Sequence, residues 1–416
     1  MKSMQERLTE RFFRYAAVST ESIEGAAVVP STPGQRQLAE LLKSDLAELG
    51  LVNLEISEYS VLTGYLPSNL PAGYHKVPTV GWVAHLDTVN VNLSPDVHPQ
   101  VIKNYQGGDV LLNAEKNISI KVSEHPELGK YIGSDLIVSD GTSVLGADNK
   151  AAIANIMVAL ETLAQDKTIL HGDIYVAFVP DEEVGLCGSK KMDFSKFPVD
   201  FAYTIDCCEL GEVVYQTFNA GTAIIKIQGV TAHPMSSKNT LVNPVLVATD
   251  IINCFDRIQT PEHTEGTEGF IWVQSLNSNV SEAVLDIKIR DHNKALYEAR
   301  KKYIQDAVEF VKVKNPKAKI ELEITDVYAN IADAINEDNK VCIDHIFEAM
   351  KELNIKPKDI AMRGGTDGSF ISTKGIPTPN YFTGAHNFHS YAEFMPMDAV
   401  EKSCRMTLKL IELITK

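Results

Sequence analysis

Three acids in a row, Asp181, Glu182 and Glu183, close an apolar run in FVPDEEVGLCGSK and precede a glycine-rich turn. Adjacent carboxylates repel, so the arrangement calls for a cation, a proton or solvent. Other acids and imidazoles also stand where apolar segments stop. In WVAHLDTV, His85 and Asp87 are two residues apart and share one side of a strand. The imidazole can then ligate a metal while the carboxylate accepts its second ring proton or orients it. Asp148 in SVLGADNKAA precedes a helix, where it reads as a cap or as a two-oxygen bridge between cations. Asp206 ends FAYTIDC, and TGAHNFHSYAEF adds His386 and His389.

His85, Asp148, Glu183, Asp206 and one late histidine make the inventory of a two-metal centre. Imidazole and carboxylate donors without thiolates suit zinc first, with cobalt or manganese as substitutes. Glu183 would neutralise its charge on one ion. Glu182 would stay free to take a proton from a water made acidic by the two ions and to deliver it to a departing amine. Asp181 is expected in solvent or capping the turn.

Helices alternate with short apolar strands through the first half, the rhythm of a mostly parallel sheet flanked by helices. Leu38, Leu41, Leu42, Leu46 and Leu49 form one helical stripe, and NKAAIANIMVALETL reads as another helix. Residues 90–134 are polar and long for a connection, and predict a small hairpin or mobile flap. Strands and helices after residue 217 predict a compact α+β module inserted into an α/β catalytic domain. The expected division is therefore 1–216 and 330–416 for the catalytic domain, and 217–329 for the insert. Acids at the ends of different strands would gather along the carboxyl edge of one parallel sheet, where open α/β folds place ligands.

The 416 residues carry a formal net charge of -16, with no basic stripe, which argues against nucleic acid or an anionic membrane as partner. Six cysteines show neither disulfide-scaffold nor structural-zinc spacing. The opening MKSMQERLTERFFRY has no long apolar core, so a cytoplasmic location is the expectation. Arg290 and Arg363 are the best clamps for a peptide's terminal carboxylate, since a planar guanidinium can make two parallel bonds. In RGGTDGS, Asp367 and Ser369 are expected to order a tight loop beside the substrate.

AHLDT, LGADNKAAIA, PDEEVG, GVTAHP, IRDH, RGGTDGS and GAHNFHSYAEF follow one another along essentially the whole chain. This series resembles the aminotripeptidase branch of the di-zinc aminopeptidase and carboxypeptidase family. The resemblance implies one zinc on His85, Asp148 and Asp206 and another on Asp148, Glu183 and His389, with His386 a bystander. It implies Glu182 as general base and His233 of GVTAHP as the group that reaches a catalytic site, the partner's, to stabilise the oxyanion, while Asp87 keeps its place beside His85 as a catalytic neighbour. The insert becomes a lid and dimerisation domain, the protein a homodimer, and the substrate a short peptide, tripeptides above all. A related carboxypeptidase or N-acyl amino acid deacylase is the main alternative, and a non-enzymatic metal-binding protein the one from another class.

Overall fold

The computed structural model describes residues 2–416. The chain divides into two compact units. One comprises the chain up to Tyr215 together with Ile335–Ile360 and Thr366–Lys416; the other comprises Gln216–Ala334 and Ala361–Gly365. Residues 361–365 join the second unit, bonded to residues 216–218 that lead into its first strand. Phe218 N–H donates to Gly364 O at 3.2 Å and Met362 N–H to Gln216 O at 2.9 Å.

The first unit is built on an eight-stranded mixed sheet. Its strands run in the order Val52–Ile56, Leu62–Leu66, Ile174–Val179, Val80–His85, Phe201–Cys207, Asn380–Phe382, Glu212–Gln216 and Lys358–Ala361. The four central strands are parallel, and Val80–His85 lies between Ile174–Val179 and Phe201–Cys207. Every residue of Val80–His85 is buried, which explains why VGWVAH is an apolar run rather than an alternating one. Trp82 sits there with its indole N–H donated to the Tyr381 hydroxyl at 3.0 Å, so its one polar group is satisfied.

The helix Ala147–Gln165 is buried almost all round its first four turns. Ala151, Ala154 and Ala159 on it belong to one core with Leu8 and Phe12 of the Met4–Ala16 helix and Val400 of the Met397–Ile414 helix. Small side chains let three helices approach closely, and the start of the middle one is held against the sheet. Within residues 90–134 the expected hairpin is present, Val110–Asn113 pairing with Ile118–Ile120. Gln100–Ile102 also pairs with Leu136–Val138, which pairs with Phe394–Pro396.

The second unit is a four-stranded antiparallel sheet in the order Phe270–Ser278, Glu282–Asp291, Asn219–Gln228, Lys319–Tyr328. Burial alternates along Glu282–Asp291, and Ala283, Leu285, Ile287 and Ile289 meet the helices Pro244–Ile252 and Lys294–Lys314 in one core. Asn243 and Asn293 cap those helices with their side-chain oxygens. Among the described residues, no helix is long and apolar enough to cross a membrane.

Phe12 is fully buried between the helices that hold Ala147–Gln165 in place. Phe12→Ala is expected to lower the stability of the first unit by about 3–5 kcal/mol, read from urea unfolding of the native and variant chains.

Candidate metal centre

Because the central strands are parallel, their carboxyl ends share one edge, and the chemistry collects there. His85 is the last residue of Val80–His85, Asp206 is the penultimate residue of Phe201–Cys207, and Asp181–Glu183 follow Ile174–Val179 after Pro180. His389 comes from the loop after Asn380–Phe382. Asp148 arrives from the start of the Ala147–Gln165 helix, where it and Asn149 keep non-helical backbone angles after a left-handed Gly146. Asp148 is thus part of an irregular entry turn rather than a simple cap.

The side chains form overlapping groups whose ligand atoms lie within 4.8 Å of one another: His85, Asp148 and Asp206; Asp148, Glu183 and His389; and His85, Glu182 and Glu183. Asp148 faces both imidazoles, Oδ1 lying 2.8 Å from His85 Nε2 and Oδ2 lying 3.0 Å from His389 Nε2. His389 Nε2 is also 2.9 Å from Glu183 Oε1, and His85 Nε2 is 3.8 Å from Asp206 Oδ1. A single ring nitrogen carries at most one proton, so it cannot donate to both oxygens it faces. Three donor atoms converging on a common point fit a cation. Four carboxylates with two neutral imidazoles also supply the charge that two divalent ions would offset, so the residues fit a dinuclear site.

The electrostatics of the side chains themselves say the same. Burial pushes Glu182 and Asp206 far above the usual carboxylate range, assisted by the acids around them. Glu183 rises for the same reasons, burial first and then Asp148. Burial opposes ionisation of Asp148 too, but the hydrogen bonds from His389 and His85 prevail and hold it low. His389 is raised to about 10 by its bonds to Asp148 and Glu183.

Asp87 does more than orient the imidazole. His85 Nδ1 lies 3.0 Å from the Asp87 carbonyl and 3.4 Å from its carboxylate, which leaves Nε2 for Asp148. The same carboxylate accepts Glu182 N–H at 3.0 Å and Glu183 N–H at 3.2 Å. It therefore sets the turn that presents both acids.

Asp181 departs from the expectation of solvent or a turn cap. It is 1% exposed, and its carboxylate accepts Ser31 N–H at 2.6 Å, the Ser31 hydroxyl at 2.5 Å and the Gln35 amide at 2.7 Å. Those bonds hold a residue with φ of 55° at the head of the turn, a conformation that disfavours most side chains. Asp367 also differs: Thr366 and Ser369 form the capping box of the short Asp367–Ser372 helix, while the Asp367 carboxyl is buried against Ser189 with Oδ1 unpartnered. Burial raises it to about 7.

His386 stands apart from the ligand groups, 2.6 Å from the Tyr131 hydroxyl and stacked on Phe394. His233, Arg290 and Arg363 belong to the second unit. His233 is exposed, its Nδ1 accepting Met235 N–H. Arg290 donates to Gly221 O and Ile289 O and lies over the Tyr328 ring. Arg363 donates to Gly266 O, Glu268 O and Thr264 Oγ1 between the rings of Phe218 and Phe270.

Sequence reasoning passed over three residues. Asn149 donates to Asp206 Oδ1 at 2.8 Å. Lys150 is wholly buried with its ammonium on Val18 O at 2.8 Å, and burial lowers it to about 7 despite Asp87 and Glu393 nearby. Glu393 is 1% exposed and accepts backbone N–H groups of Leu145, Gly146 and Asp148. An acid inside the apolar SYAEFM was the available signal, because a carboxylate is rarely buried without donors.

The profile of peptidase family M20/M25/M40 matches residues 146–413. A peptidase T-like protein of Yersinia pestis is 53% identical over 405 residues, which covers 97% of this chain and 97% of that protein. Peptidase T of Caldanaerobacter subterraneus subsp. tengcongensis is 42% identical over 410 residues, 99% of either chain. The crystal structure of aminopeptidase PepT from Bacillus cereus shares the fold with a TM-score of 0.75 at 21% identity, covering 100% of both chains. The profile spans the turn of Asp148, the strand of Asp206 and the loop of His389, and the sequence likeness runs from end to end. The chain belongs to peptidase family M20/M25/M40.

Proposed function

We propose that the chain is a metal-dependent aminopeptidase that releases the N-terminal residue of short peptides, with tripeptides preferred and two zinc ions as the working metals. One observation carries the reading: Asp148 turns one carboxylate oxygen to His85 and the other to His389, each within a group of three donors. His85, Asp148 and Asp206 would hold one ion, and Asp148, Glu183 and His389 the other. Imidazole and carboxylate donors together favour zinc over magnesium, with cobalt or manganese as substitutes. Full-length likeness to proteins called peptidase T and peptidase T-like supports a peptidase.

Bound there, the ions would acidify a water and polarise the scissile carbonyl. Glu182 is left over once His85, Asp148 and Asp206 hold one ion and Asp148, Glu183 and His389 the other, and it is the general base. It takes a proton from water as the water oxygen bonds the carbonyl carbon, then delivers that proton to the amine as the C–N bond breaks. Asp87 keeps Glu182 in place through the backbone N–H it accepts, and keeps His85 turned toward Asp148. In this reading His233 of one subunit reaches its partner's catalytic site and stabilises the oxyanion there, and Arg290 and Arg363 clamp the far carboxylate of the peptide. A homodimer through the second unit is part of the proposal, supported by the edge strand Phe270–Ser278, which leaves Trp272 and Leu276 exposed.

Glu182→Gln is expected to lower turnover of an unmodified tripeptide by about 10²–10⁴-fold. Its metal content, measured by elemental analysis, should match the native chain. Chelation should abolish native activity and zinc should restore it. The polarity is tested with one tripeptide in free and N-acetylated forms: cleavage of the free form alone is expected, and preference for the acylated form would point to a deacylase. Arg290→Ala and Arg363→Ala should raise KM for tripeptides more than for tetrapeptides. Unchanged selectivity between the two lengths would remove the clamp.

A further inference from the structure

The loop from His386 to Phe394 is closed at its base. His386 N–H donates to Phe394 O at 2.9 Å and Phe394 N–H to His386 O at 3.2 Å. Within it Asn387 and His389 take left-handed backbone angles, with φ of 60° and 63°. Glu393 N–H donates to Ser390 O at 3.2 Å, and Ala392 N–H to Ser390 Oγ at 3.0 Å. The loop is thus a small, internally bonded body that presents His389.

The Glu393 side chain leaves that body and enters the turn that presents Asp148. Its Oε2 accepts Leu145 N–H at 2.6 Å and Gly146 N–H at 2.8 Å, and its Oε1 accepts Asp148 N–H at 3.3 Å. These are three of the four backbone donors of residues 145–148 at a helix entry, and backbone donors left unmet in the interior are costly. The buried Lys150 side chain donates to Val18 O instead. A carboxylate that served only to satisfy the turn could come from any neighbouring segment. Here it comes from the loop that holds the other imidazole of the centre.

We propose that Glu393 is a positioning residue that ties the His389 loop to the Asp148 turn and so sets the second cation position, formed by Asp148, Glu183 and His389. Glu393 touches no substrate and ligates nothing. Its carboxylate fixes how far apart two ligands from distant parts of the chain stand, as outer partners of metal ligands do elsewhere. The proposal rests on the two-metal reading of the site.

The test is titration of the metal-free full-length protein with Zn²⁺ against a chromophoric chelator, and with Co²⁺ by visible absorption, for the native chain, Glu393→Gln and Glu393→Asp. Gln keeps an acceptor for Leu145 and Gly146 but turns an amide N–H₂ toward Asp148 N–H; Asp keeps the charge but shortens the reach. In folded variants one of two Zn²⁺ equivalents should weaken by about 10–100-fold, the other far less, with a changed Co²⁺ spectrum for the weakened position. A merely structural role would lower thermal stability and leave both affinities native, which overturns the proposal. Should both variants fail to fold, hydrogen exchange on the native chain decides. Zn²⁺ should protect residues 145–148 and 386–394 together, and protection of one segment without the other also overturns it. A native chain that takes up fewer than two equivalents removes the two-metal reading and this proposal together; native uptake of two with unaltered variants removes this proposal alone.

Discussion

Asp148, Glu182, Glu183 and Asp206 crowd their carboxylates together at one sheet edge, beside the buried His85 and the exposed His389. A like-charged pair about 4 Å apart is repulsive by about 4 kcal/mol even at an effective dielectric constant of 20. Several such pairs rival the roughly 5–15 kcal/mol by which a folded domain exceeds its unfolded chain. The rest of the site is arranged around that constraint. Cations answer it at the ligands, and backbone N–H groups answer it just behind them.

Two acids that ligate nothing illustrate the second answer. Asp87 accepts the N–H groups of Glu182 and Glu183, and Glu393 accepts those of Leu145, Gly146 and Asp148. Each thus braces a turn that carries a ligand, using neutral donors that add no positive charge to compete with a metal. Lys150 lies buried within electrostatic range of both, and the two acids oppose the lowering that its burial causes.

Much of this was legible in the sequence because the ligands stand where apolar runs end, and a run that is apolar on both faces identifies a central parallel strand. His85, Asp206 and Glu183 follow from that rule, and the structure brings them together with Asp148 and His389. The insert's alternation in EAVLDIKIRD gave its sheet as directly. What escaped were residues whose importance lies in a partner far along the chain. Asp181 looked like a solvated acid beside two others, and nothing local indicates that Ser31 and Gln35 will bond it. Glu393 looked like one more residue of a loop, since its three donors lie some 245 positions away. Periodicity reports which way a side chain faces, whereas these contacts depend on which segments the topology makes neighbours.

The donors of the centre come from five separate stretches of chain, the first at His85 and the last at His389. No partly folded form in which one of those stretches is still undocked offers the complete set. Ion binding therefore stabilises the finished native state and gives little help to the barrier crossed on the way to it. Its kinetic effect falls on departure: metal slows unfolding more than it speeds folding, and the loaded protein gains persistence rather than haste.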